Sequence, residues 1–234
     1  MSLFCRPGAG DAPKSLAKLS MLYVGQASLV GDIARYAQNF NVVELLAEPG
    51  RLPKASGLRK WKTSAGNEFA FSLRVSARVW QADEDECNKL VSYVSEVAKI
   101  LAPKVCLLQT PASATPTPRN RKRLAALCDR LRYDSAALAW EPRGVWEQSE
   151  LLAQADDLGV LLVQDLSREF DPPPGSSVYT RLLALGGASH VRGAAAETVA
   201  EKVQDYESVY VIIEGTGARG AGKIIREAVG DLRI

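Results

Sequence analysis

At 234 residues, 47% hydrophobic and 24% charged, the chain has the size and make-up of one large globular domain or two small ones. Its 29 Lys and Arg against 27 Asp and Glu leave a formal charge of +2, which excludes a global electrostatic pull toward nucleic acid or membrane. The longest apolar runs, such as Val160–Val163 and Val209–Ile213, fall far short of the roughly 20 residues of a membrane helix.

In chain order, residues 1–20 mix Pro7, Gly8, Gly10 and Pro13 with basic side chains and contain no apolar core of a signal peptide, so they read as a flexible arm. Cys5, Cys87, Cys106 and Cys128 share no metal-ligand spacing and are expected to be reduced, with Cys106 and Cys128 packed in the core. The cytoplasm is the expected compartment.

From Met21 onward, eight short apolar runs alternate with helical patterns: Met21–Ala27, Val42–Ala47, Phe69–Val75, Val105–Pro111, Ala136–Pro142, Val160–Asp165, Val178–Leu185 and Val209–Gly215. Thr117 followed by Pro118 supplies an N-cap and a first helical residue, and Leu124, Leu127, Cys128 and Leu131 continue at helical spacing. Pro172, Pro173 and Pro174 forbid a long helix after the sixth run. Eight such units over residues 21–234 without a long linker predict a single α/β domain, a (β/α)8 barrel with the helix of unit six short or missing. An open doubly wound sheet is the alternative.

Strand alternation assigns faces. In the third run Phe69, Phe71, Leu73 and Val75 face the helices, whereas Ala70, Ser72 and Arg74 face the crowded barrel interior. In the fifth, Trp140 points out and Glu141 points in. The ends of other runs add Glu44, Gln109, Asp165, Arg181 and Glu214, giving a polar ring of mixed charge at the C-terminal rim, where barrels of this class carry their active sites. Strand-end charges also form salt-bridge layers that only plug a barrel, and that reading stays open for each residue.

The stretches Tyr36–Glu44, Phe69–Arg74, Leu107–Pro111 and Ala139–Gly144 with Trp146 resemble the YecE-like family, the proteins of domain of unknown function 72, over roughly Tyr23 to Val229. The resemblance implies a (β/α)8 barrel with Glu44, Gln109, Glu141, Arg143 and Arg181 at recurrent polar positions, and no established reaction. This chain departs from the family at Arg74, where Lys is usual, at Leu183-Ala184 in place of a His-Gly pair, and at Glu214-Gly215 in place of an Asn pair. Those departures point to an altered or lost activity.

After the eighth run comes Gly215-Thr216-Gly217-Ala218-Arg219-Gly220-Ala221-Gly222-Lys223, whose Gly215, Gly217 and Gly220 could let backbone N–H groups cradle a phosphate at a helix start, with Gly186-Gly187 nearby. The alternative is that small residues let the last helix pack tightly on the barrel. It is neither a dinucleotide fingerprint nor a Walker loop. His190 is the only histidine and reads as a surface residue, so no metal site is assigned; a Mg or Mn ion would rest on Glu44, Glu141, Asp165 and Glu214 alone. The basic run Arg119, Arg121, Lys122 and Arg123 reads as the solvated face of a helix, without the interleaved aromatics of a single-strand binder. No Ser or Cys lies in a nucleophile elbow.

Three readings follow. The first is a barrel that binds a small anionic ligand, phosphorylated or sugar-like, through Glu44, Arg74, Gln109, Arg143, Arg181 and the glycine turn, with Glu141, Asp165 and Glu214 as acid/base groups of a hydrolase or lyase. The second is a non-catalytic binding or scaffold protein with a protein partner, and the third a Mg- or Mn-dependent phosphoesterase or nuclease. Whether the chain is an enzyme, and its oligomeric state, are outside what the sequence decides.

Overall fold

The computed structural model describes residues 21–133, 136–168, 170–183 and 191–231. The expectations for the arm at 1–20 with Cys5, for Ala184 and the end of the seventh run, for Gly186-Gly187 and for His190 lie outside the described residues. Eight strands, β1 (Met21–Gln26), β2 (Val42–Ala47), β3 (Ala70–Val75), β4 (Val105–Thr110), β5 (Ala137–Pro142), β6 (Leu161–Leu162), β7 (Ser177–Leu183) and β8 (Ser208–Glu214), form one parallel sheet in the order β6-β5-β4-β3-β2-β1-β8-β7. A parallel bridge between Gln164 and Thr180 brings its two ends together. The result is the expected (β/α)8 barrel, closed rather than open.

Helices α1 (Ile33–Ala37), α2 (Ala55–Ala65), α3 (Glu84–Leu101), α4 (Pro118–Arg130), α5 (Gln148–Leu158), α6 (Gly193–Val203) and α7 (Ala218–Asp231) follow every strand except β6. The three prolines after β6 account for that gap. Local chemistry sets the helix ends. Thr117 Oγ1 accepts from Asn120 N (3.3 Å) ahead of Pro118, and Asp83 accepts from Glu86 N (2.9 Å) ahead of an acidic first turn that complements the helix dipole. Glu147 and Glu150 form a capping box on α5, which ends at Gly159 in the left-handed region (φ 59°).

The strand faces fall as alternation predicts. Phe71, Leu73, Leu138 and Trp140 belong to the outer core beneath the helices. Ala70, Leu107, Ala139 and Ile212 fill the barrel with Tyr23, Tyr179 and Tyr210. Tyr210 stacks on Tyr23 at 4.8 Å between ring centroids and on Tyr179 at 5.9 Å, flooring the interior below the rim. Cys106 and Cys128 are buried as expected, and burial pushes their thiols up to about 12 and about 11, far from nucleophilic thiolates.

Three seams of the barrel are short of backbone pairing: β5–β6, with two residue pairs in register, and the two that side chains reinforce, β1–β2 and β6–β7. Between β1 and β2 only Gly25–Val42 and Gln26–Val43 are in register. Side chains bridge the rest: Asn41 Oδ1 accepts from Val24 N (2.7 Å) while Asn41 Nδ2 donates to Leu22 O (2.8 Å). The Tyr36 hydroxyl accepts from Gln26 N (2.7 Å) and donates to Val42 O (3.0 Å). A Cβ on Gly25 would sit 1.8 Å from the Val42 carbonyl oxygen, so only glycine fits there. At the β6–β7 seam Thr180 does comparable work, donating to Gln164 O (2.8 Å) and accepting from Leu166 N (3.2 Å).

Candidate ligand site at the barrel rim

Six strands deliver polar side chains to one place, and Arg181 of β7 is its hub. This guanidinium is 1% exposed, and all three of its nitrogens face carboxylates: Nη1 donates to Glu141 Oε2 (2.6 Å), Nη2 donates to Glu214 Oε2 (2.9 Å), and Nε lies 3.2 Å from Glu44 Oε2. Gln109 Nε2 donates to Glu141 Oε2 (2.8 Å), and Arg143 Nη2 donates to Glu141 Oε1 (3.3 Å). Arg74 Nε stands 3.2 Å from Glu44 Oε1. Neither Nε contact with Glu44 is aligned as a hydrogen bond, so both are Coulombic.

Glu44, fully buried, accepts its one well-formed hydrogen bond from the Tyr179 hydroxyl (2.8 Å), which also lies 3.0 Å from Ser72 Oγ. Burial raises the Glu44 carboxyl, with Arg181, Arg74 and Tyr179 pulling the other way. Burial and the Glu44 charge push the Tyr179 phenol well above its ordinary value, so it serves as a neutral donor. Burial would lower Arg181, but Glu44, Glu141 and Glu214 together raise it, which keeps it cationic.

Of the residues singled out from sequence, Glu44, Arg74, Gln109, Glu141, Arg143, Arg181 and Glu214 therefore share one network. Asp165 stands apart. Its Oδ1 accepts from Ser167 N (3.1 Å) and Ser167 Oγ (2.6 Å), and its Oδ2 from Arg168 Nε (3.3 Å) and Leu183 N (3.2 Å). It ties the β6–β7 loop to β7. The glycine turn also stands apart: Gly215 (φ 122°) and Gly217 (φ 82°) form the turn, but Gly220 lies inside α7. Gly222 shows the tight packing, since a Cβ there would press on Val24 and Phe40 at 3.2 and 3.4 Å.

Two cavities open at the rim. One, of about 680 Å³, is lined by the glycine turn with Asp32, Arg35, Asn39 and Arg219. The other, of about 550 Å³, is lined by Glu141, Arg143, Trp146, Gln148, Gln164, Asp165, Arg168, Phe170 and Arg181. Among the described residues the two share no lining side chain, so the charged network and the glycine turn serve different spaces. Tyr179, Arg168, Gln148 and Gln164 escaped the sequence reading. Tyr179 was findable, because it sits two residues before Arg181 and so shares its inward face; Arg168, on a loop, has no periodic signal.

Glu44, Glu141 and Glu214 converge as a divalent ion would require, yet they converge on a guanidinium that fills the space between them. No group of three metal-ligating side chains placed to hold an ion occurs among the described residues. Nor is there a helix among them long and apolar enough to cross a membrane. The basic run is only partly a solvated face: Arg121 donates to Glu150 (2.7 Å) and Gln154 (2.8 Å) and lies over the Trp146 ring, and Arg123 donates to Ala82 O (3.0 Å).

The family described as protein of unknown function DUF72 matches residues 20–223, most of the barrel. The chain belongs to this DUF72 family. A DUF72 family protein from Enterococcus faecalis V583 superposes with a TM-score of 0.72 at 17% identity, covering 92% of this chain and 98% of that one. A second, from Thermotoga maritima MSB8, gives 0.66 at 15% identity, covering 92% and 100%. Outside DUF72, an L-ribulose 3-epimerase shares the barrel shape with a TM-score of 0.55 at 14% identity, covering 90% of this chain and 94% of that one. No curated protein sequence matches the chain. The family membership read from the Tyr36–Glu44 and Ala139–Gly144 motifs is thus shown, and the distant likenesses show the fold alone.

Proposed function

We propose that this barrel binds a small anionic, sugar-like ligand in the 550 Å³ cavity between the ends of β5 and β7. One observation carries the reading: Arg143 is 45% exposed at that cavity and, among the described residues, is held only by one long contact to Glu141, which Gln109 and Arg181 already anchor. Its remaining N–H groups are available to a carboxylate or phosphate oxygen. Arg168, 41% exposed beside Asp165, supports the same side of the cavity. Gln148, Gln164 and the exposed edge of Phe170 supply the mix of polar and apolar wall that a hydroxylated molecule uses.

Glu141 is the group best placed for proton transfer to such a ligand, with Glu214 as its companion. The two carboxylates meet adjacent arms of one guanidinium, at 2.6 and 2.9 Å, so Arg181 holds both in place beside the cavity that Glu141 lines. Asp165 is spent on the loop and is withdrawn from that role. A non-catalytic binding barrel is the second reading, favoured by the three carboxylates that already surround Arg181. The fold does not choose between them, because barrels of this shape serve unrelated chemistries.

Thermal stability with phosphate, sugar acids and sugar phosphates tests the reading, in the native chain and in Arg143→Ala. Binding by at least one ligand, weakened about tenfold or more in the variant, is expected for loss of a charge-assisted contact. No shift with any of them, or shifts unaffected by the substitution, removes the cavity as the site.

A further inference from the structure

We infer that Arg181 is the resident cation of this rim: its guanidinium takes the central position among Glu44, Glu141 and Glu214, and the rim binds no divalent metal while it is there. Each of the three carboxylates comes from a different strand, β2, β5 and β8, and each meets a different nitrogen of the same planar group, at 3.2, 2.6 and 2.9 Å. A divalent ion demands oxygens at roughly 2.0–2.6 Å around a point. Here the oxygens are spread around the edges of a guanidinium, two of them in charge-assisted hydrogen bonds and the third in a Coulombic contact.

Charge balance agrees. Glu44, Glu141 and Glu214 face Arg74, Arg143 and Arg181, so the network closes at neutrality without a further cation. A metal entering the cluster would meet a buried guanidinium that its neighbours hold in the charged form. Tyr179 completes the arrangement as a positioning residue, since its hydroxyl fixes the Glu44 oxygen that faces Arg181 Nε. Arg181 lines the cavity wall, so a small cation entering from the cavity can reach its place when the side chain is cut back. This inference is independent of which ligand the cavity takes, or of whether it takes one.

The first arm of the test uses the native chain, stripped with a chelator and titrated with Mn²⁺ while the free ion is followed by electron paramagnetic resonance. No stoichiometric binding and an unchanged melting temperature are expected; one tightly held Mn²⁺ per chain overturns the proposal whatever else is found. In the second arm, Arg181→Ala is titrated with millimolar methylguanidinium against KCl at matched ionic strength. Recovery of melting temperature with methylguanidinium but not with KCl supports the resident-cation role, and equal responses contradict it. Arg181→Lys replaces the fork with a point charge and is expected to melt below the native chain and to gain nothing from methylguanidinium; native-like melting would show that any cation suffices. The Mn²⁺ arm gives a decision even where Arg181→Ala does not fold.

Discussion

Two under-paired seams of the barrel, β1–β2 and β6–β7, are repaired by different means, and the contrast separates architecture from chemistry. At β1–β2, Tyr36 and Asn41 imitate a missing strand ladder with neutral hydrogen bonds to backbone groups. At β6–β7, the repair by Thr180 and Asp165 stops short, and beyond it lies the cavity faced by Glu141, Arg143 and Arg181. The stretch Tyr36–Asn41, part of what carries the family resemblance, thus seals the fold. The Glu141–Arg143 motif borders the space where a ligand fits.

The contrast breaks most visibly at Arg181. Arg181→Met removes one cation from three carboxylates and strands Glu44, which is fully buried, with Arg74 and Tyr179 alone. Breaking a buried ion network in this way costs about 3–5 kcal/mol, read from chemical denaturation. A loss below about 1 kcal/mol, the scale of exposed ion pairs, would mean that the network carries little of the fold's stability.

The seams come next. Tyr36→Phe leaves Gln26 N and Val42 O without their shared partner, and Thr180→Val leaves Leu166 N without its partner and Gln164 O with only the long bond from Arg181 N (3.4 Å). Each costs about 1–3 kcal/mol on the scale of unsatisfied buried groups. The two separate on ligand affinity: Thr180→Val, which loosens the hold on the cavity-lining Gln164, is expected to weaken it, and Tyr36→Phe to leave it unchanged. Equal effects on affinity would erase the distinction between the seams.

How much of this was legible beforehand depends on what carries the signal. Alternation within strands is a local property, so the sequence alone places Arg74 and Glu141 inside the barrel and Trp140 outside. Strand-end position then gathered Glu44, Gln109, Arg181 and Glu214. What alternation cannot tell is which partner an inward side chain finds. Asp165 ends its apolar run as Glu141 nearly ends its own, yet β6 stops at Leu162 and Asp165 turns to the backbone of its own loop and to Leu183 N, a contact between residues 18 positions apart. The union of the glycine turn with the charged network failed for the same reason, because neighbours along the chain at residues 214 and 215 diverge to different spaces.

A weaker effect sharpens the account of Glu44. A carboxyl whose folded-state value lies above its unfolded one contributes stability that is complete below the unfolded value and is lost as pH rises through the folded one. Burial places Glu44 in that class. The penalty of Glu44→Gln is therefore expected to be largest near about pH 4, the range of an unfolded carboxyl, and to shrink toward neutrality. Denaturation of both chains across that range decides it; a penalty that grows with pH would mean that Arg74 and Arg181 outweigh burial.

The smallest effect concerns the glycine turn. Gly217 has φ 82°, a backbone that a side chain strains, whereas Gly220 lies within α7 with nothing inside 4 Å of where a Cβ would stand. Gly220→Ala narrows the unfolded ensemble and favours the helix, raising stability by about 0.4–1 kcal/mol. Gly217→Ala lowers it by a similar or larger amount, on the order of 1 kcal/mol for an L-residue forced into the left-handed region. Opposite shifts in melting temperature would confine the turn to Gly215–Gly217 and make Gly220 an ordinary helical position. Destabilisation by both would place Gly220 in a backbone that only glycine tolerates, and would return it to the loop.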